Sequence, residues 1–125
     1  MFNNFDIDSR LRISPKSFPD FFAAPVTLYV NDFDEESVVK FKKEMELAQN
    51  TNQDIIPIVI DSYGGHVYSL LAMIDIIEQC PVTVATIGLG KMMSCGSVLL
   101  TCGDEGYRFA SPNSTVMVHD VSSWT

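Results

Sequence analysis

Between Val26 and His119, short apolar or β-branched runs alternate with stretches of helical periodicity, and this alternation limits the fold more than any other feature of the chain. Val26 to Val30 reads as a short strand. Val38, Phe41, Met45 and Ala48 recur at helical spacing, which predicts an amphipathic helix over about 34–49. Asp32 precedes Glu35 by three residues, a capping-box-like start for it. Ile55 to Ile60 is a continuous apolar run, the pattern of a strand buried on both faces of a parallel sheet. Pro57 interrupts it and cannot donate to a ladder, which weakens its first half. Val67, Leu70, Leu71, Ile74 and Ile77 mark a second helix over about 66–79, and Pro81 follows its end. Val82 to Ile87 predicts the next strand. A glycine turn and a third helix, from about 92 to 102, come after it. Tyr107 to Ala110 and Thr115 to His119 read as two final short strands. Strands and helices in this order make right-handed crossovers and a parallel sheet, an α/β fold.

One domain accounts for 125 residues. Residues 1–25 read as an irregular N-terminal arm, because Pro15, Pro19 and Pro25 break any long regular element. Phe18, Phe21 and Phe22 suggest that the arm docks, either on its own domain or on a neighbouring subunit. Residues 26–125 form the α/β domain. Hydrophobic residues make up 46% of the chain, enough for a core and too many for a disordered protein. No apolar run approaches the ~18 residues of a membrane span. The N-terminus, Met1 to Asp6, has neither the basic region nor the apolar stretch of a signal peptide, so a cytoplasmic protein is expected. The net charge of −8 disfavours nucleic acid and anionic membrane as partners. Cys80, Cys95 and Cys102 show no closely paired spacing, so they read as reduced thiols in or beside the core, and no metal is expected.

Chemistry-bearing residues fall where strands run into helices, which is where α/β sheets build their sites. Asp61-Ser62-Tyr63-Gly64-Gly65 ends one apolar run. Gly88-Leu89-Gly90-Lys91-Met92-Met93-Ser94-Cys95-Gly96-Ser97 follows another, and His119 closes a third. A serine, a histidine and a glycine turn with free backbone N–H groups supply a nucleophile, a general base and an oxyanion hole for acyl transfer. Each also has an ordinary structural reading: a common turn, a small packing serine, a hydrogen-bonded core histidine. Two other motifs fail. Met92 replaces the Ser/Thr of a P-loop after Gly90-Lys91, and it also stands where the α/β-hydrolase elbow needs glycine, two before Ser94.

From roughly Val26 to Val121 the chain resembles the proteolytic subunits of the ATP-dependent Clp protease family, within the Clp protease/crotonase superfamily. Asp61-Ser62-Tyr63-Gly64-Gly65 is similar to that family's Asn-Ser-Pro-Gly-Gly turn, and Met93-Ser94-Cys95-Gly96-Ser97 resembles its Ala-Ser-Met-Gly-Ala nucleophile segment. Arg108-Phe109, Pro112-Asn113-Ser114 and Val116-Met117-Val118-His119 match the stretch ending in its catalytic histidine, and the blocks keep their spacing without gaps. The resemblance implies a spiral of βαβ units around a parallel sheet. It implies a serine endopeptidase that hydrolyses peptide bonds of unfolded proteins, with Ser94 as nucleophile, His119 as general base, and the N–H groups of Gly65 and Cys95 as the oxyanion hole. No metal or organic cofactor is implied. The implied partners are an AAA+ unfoldase and copies of the chain, or full-length subunits, in a ring.

The chain also departs from that pattern. Tyr63 replaces a proline, Lys91 stands in a normally small, uncharged stretch, and Asp120-Val121 replaces Gln-Pro. The family's interlocking helix and catalytic aspartate lie beyond the matched stretch, so a C-terminally truncated member is expected. Asp120 is a poor substitute for that aspartate, because adjacent strand residues face opposite ways. Asp75 and Asp104 are further acids whose position the sequence leaves open. Two alternatives follow: a weak or inactive truncated paralogue that acts as an assembly or regulatory partner in a protease ring, and an acyl-CoA enzyme of the crotonase type using the oxyanion hole alone.

Overall fold

A computed structural model of the chain describes residues 11–12 and 23–118. Its strands are β1 (Leu11–Arg12), β2 (Leu28–Val30), β3 (Ile55–Ser62), β4 (Thr83–Met93), β5 (Arg108–Ala110) and β6 (Thr115–Met117). Its helices are α1 (Glu35–Gln49), α2 (Val67–Glu78) and α3 (Cys95–Leu100). The sheet runs β1-β5-β4-β3-β2, with β6 also paired to β4, and every pairing is parallel. The expected α/β spiral with a parallel sheet is what forms. Of the residues read as an arm, Leu11–Arg12 pairs with β5; the three phenylalanines lie outside the described residues, as do His119 and Asp120.

The strand order explains where the helices lie. β2, β3 and β4 are neighbours in chain order, so successive right-handed crossovers step the same way across the sheet and put their helices on one face. Phe41, Met45 and Ala48 of α1, Leu70, Met73 and Ile77 of α2, and Leu99 and Leu100 of α3 share one core with Leu28, Val30, Ile56, Ile58 and Ile60. Each fully buried large side chain in it contributes about 1.5–3 kcal/mol. Val59, Ala85, Ile87 and Phe109 form a second, smaller cluster. β3 is therefore buried along nearly all its length, as its unbroken apolar run predicts. Pro57 is accommodated because β2 pairs only from Ile58 onward, which leaves position 57 a strand neighbour on one side, at Ala85.

Three sequence expectations are corrected. The cap of α1 is Asp34 with Ser37, not Asp32 with Glu35. Asp34 Oδ1 accepts the Ser37 N–H at 2.8 Å, and Ser37 Oγ accepts the Asp34 N–H at 2.8 Å. The helix starts late because Phe33, only 2% exposed, is held in a bridge to Gly65. On α2, Leu71 is exposed and Met73 is buried in the core instead. The largest difference is at Gly88–Gly90, where no turn forms. β4 runs on to Met93, and α3 begins at Cys95 rather than near 92. Pairing decides this: β4's middle lies on β5 and its end on β6, so the glycines are spanned by neighbours. The glycines serve as a bulge. Between Ile60↔Gly88 and Ser62↔Met92, β3 advances two residues while β4 advances four.

Candidate active site

The Ser62↔Met92 pairing brings the ends of β3 and β4 side by side, and the two strand-to-helix turns beyond them come into contact. The first turn is closed locally. Ser62 is buried, and its Oγ accepts the Gly64 N–H at 2.9 Å. Gly64 takes φ +110, which a side chain disfavours. The turn is then fastened to the start of α1: the His66 N–H donates to the Phe33 carbonyl at 2.8 Å, and a Cβ on Gly65 would lie 2.6 Å from that oxygen. Phe33 is the residue the sequence reading missed. Its only signal is an isolated aromatic between Asp32 and Asp34, directly before the helix cap.

The second turn carries Ser94. Its φ of 54° and ψ of −115° are rare for a residue with a side chain, a strain of about 1–3 kcal/mol that its surroundings must hold. The turn is thus a strained strand-to-helix elbow, although the glycine two positions earlier is absent. Its main chain is well anchored. The Ser94 N–H donates to the Met117 carbonyl at 2.9 Å, and the Ser94 carbonyl accepts from Ser97 N–H at 3.0 Å and Ser97 Oγ at 2.6 Å. The Ser94 side chain makes no capping bond to α3.

The two turns touch. A Cβ on Gly64 would lie 2.9 Å from Ser94 Cβ, 3.0 Å from the Met93 carbonyl oxygen and 3.4 Å from the Cys95 nitrogen. The Cys95 thiol donates to the Gly65 carbonyl at 3.5 Å, and burial pushes that thiol up from its ordinary pKa. The backbone N–H groups of Gly65 and Cys95 donate to no backbone carbonyl among the described residues.

Of the sequence-predicted site residues, Ser94, Gly65 and Cys95 are therefore brought together. β6 lies parallel to the last three residues of β4, and Met117, bonded to Ser94, is two positions before His119, which falls outside the described residues. The other histidine, His66, lines a groove between α1 and α2 with Asp34 and Tyr68. Asp104 does not approach Ser94: its Oδ2 accepts the Val84 N–H at 3.0 Å, at the far end of β4. Asp75 is on the exposed side of α2.

Asp61, Tyr63 and Lys91 cluster beside the turns. Lys91 Nζ lies 2.7 Å from Asp61 Oδ1 and 4.5 Å from the Tyr63 ring centroid. The ammonium's hydrogen bond holds the Asp61 carboxyl below the usual carboxylate range, and the same bond raises Lys91. No helix among the described residues is long and apolar enough to cross a membrane.

Known proteins resemble this chain in sequence. The family model described as Clp protease matches residues 23–125. The chain belongs to the Clp protease family. An ATP-dependent Clp protease proteolytic subunit of Deinococcus radiodurans is 45% identical over 76 residues, which is 61% of this chain and 37% of that relative. The matched stretch thus spans well under half of the relative's length.

Proposed function

We propose that this chain is a Clp-type serine endopeptidase subunit that hydrolyses peptide bonds of unfolded proteins, with Ser94 as nucleophile and His119 as general base. The observation that carries the reading is the contact between the strained Ser94 elbow and the Gly64-Gly65 turn, which sets the Gly65 and Cys95 backbones beside it. In this reaction Ser94 Oγ attacks the scissile carbonyl carbon while its proton passes to His119. The carbonyl oxygen becomes an oxyanion held by the two N–H groups, which cost no reorganisation because the turns already fix them. Collapse expels the amine, which takes the proton from His119 and leaves an acyl-Ser94 ester. Water, deprotonated by His119, attacks the ester, and the second collapse releases the acid product and frees Ser94, whose Oγ takes the proton back from His119. None of these steps needs a metal or an organic cofactor. An AAA+ unfoldase that supplies unfolded chains, assembly into a ring and a cytoplasmic location go with this reading.

A second reading is favoured by one observation. Asp104 is bonded at the far end of β4, and Asp61 is committed to Lys91. A Ser/His pair with no carboxylate to orient the histidine loses about four orders of magnitude in rate. The chain would then serve mainly as an assembly or regulatory partner of complete subunits.

Intact-mass labelling with a fluorophosphonate separates the two. Wild type gains one adduct and Ser94→Ala gains none if Ser94 is an activated nucleophile. No adduct on the folded wild-type protein overturns the endopeptidase reading and leaves the partner role.

A further inference from the structure

Asp61, Tyr63 and Lys91, which lie in the two strand-end segments, meet in space. Asp61 is the penultimate residue of β3, where the register against β4 slips. Its Oδ1 takes both the Lys91 ammonium at 2.7 Å and the Lys91 backbone N–H at 3.3 Å. The carboxylate lies directly over Gly90, where φ is +68 and a Cβ would come within 2.8 Å of Oδ1. Asn31 Nδ2 donates to the Asp61 carbonyl at 3.0 Å, which ties the end of β2 to the same point. Tyr63 is 75% exposed, so burial does not hold its ring in place; the ammonium 4.5 Å from its centroid is what engages it.

A bulge carries two residues more than its partner strand, so its ladder cannot hold it as regular pairing would. Here Asp61 satisfies the bulge's Lys91 N–H, and Lys91 in turn reaches back over Tyr63. Gly64 follows Tyr63 directly, and Ser94 is three residues beyond Lys91. We propose that Asp61, Lys91 and Tyr63 form a positioning clamp that holds the Gly64-Gly65 turn against the Ser94 elbow. The proposal deepens the reading of Ser94 as nucleophile and rests on it for its effect on reactivity. A partly exposed ion pair adds little to global stability, so the clamp acts on local geometry.

The test compares the full chain with Lys91→Met, Asp61→Asn and Lys91→Arg. Three quantities are read: the second-order rate of fluorophosphonate labelling at Ser94, hydrogen exchange over residues 63–66, and the melting temperature. A small displacement of reacting groups is costly in rate, so Lys91→Met and Asp61→Asn lower labelling about tenfold with little change in melting. Both raise exchange at 63–66. Lys91→Arg retains most of the rate, because a guanidinium can pair with Asp61 and stack on Tyr63. Without any substitution, ~1 M salt screens the pair and slows labelling of the wild type in the same direction. Labelling that is unchanged in Lys91→Met, or reduced only in proportion to lost stability, overturns the clamp. Should the wild type take no label, the nucleophile reading fails by itself, and exchange then decides: unchanged protection at 63–66 in Lys91→Met overturns the clamp, and raised exchange supports it.

Discussion

The Cβ that Gly64 lacks would lie 2.9 Å from the Cβ of Ser94, a separation that real Cβ atoms essentially never show. Two turns 30 residues apart in sequence are thus as close as their backbones allow, and only a glycine permits it. Gly64→Ala must push the turns apart and must also hold a side chain at φ +110. It is expected to cost about 1–3 kcal/mol in a denaturant titration and to reduce Ser94 labelling more than Gly103→Ala, which crowds Thr86 away from the Ser94 elbow.

The strain at Ser94 itself can be measured. Glycine adopts positive φ freely, whereas alanine keeps the penalty. Ser94→Gly is expected to be more stable than Ser94→Ala by about 1 kcal/mol in urea unfolding. Equal stabilities would mean that the elbow relaxes in solution.

The start of α1 distinguishes two neighbouring acids. Asp34 makes the reciprocal cap with Ser37, while Asp32 lies before Phe33 and outside it. Asp34→Ala is expected to lower the melting temperature by on the order of a few degrees, and Asp32→Ala to leave it unchanged. Thermal melts followed by circular dichroism decide between them.

Acid should weaken the protein through specific carboxylates. Asp61 is held below its ordinary range chiefly by the Lys91 ammonium, and Asp34 by the Ser37 N–H. A depressed folded-state pKa contributes stability that is present above the unfolded pKa, near ~4, and lost as pH falls through the folded value. Urea midpoints are therefore expected to hold near neutrality and fall below about pH 4. Asp61→Asn should show a shallower fall, since the amide that replaces the carboxylate has no proton to gain. An identical fall would mean that the Asp61–Lys91 pair adds nothing measurable to global stability over this range.

Much of the fold was legible because it rests on local pattern. The apolar run Ile55–Ile60 requires burial on both sides wherever it lies, and the Phe41, Met45 and Ala48 stripe requires a core beneath α1. Strand-to-helix alternation then leaves few parallel arrangements. Gly64-Gly65 and Ser94 could be assigned to strand ends for the same reason.

Pairing between distant segments decided the rest. Gly88-Leu89-Gly90 reads as a turn by composition, yet it continues a strand because β3, β5 and β6 supply partners around it. The cap of α1 moved from Asp32 to Asp34 because Phe33 is fastened to Gly65, a contact with no local trace. The charge of Lys91 looked anomalous in sequence and is matched by Asp61, 30 residues earlier, once the bulge aligns them. Sequence by itself determined which segments must be strand or helix and which residue types carry chemistry, since periodicity and burial are properties of short stretches. Only the tertiary structure decided which backbone groups face one another, because register, bulges and contacts a few ångströms long depend on segments the chain brings together from far apart.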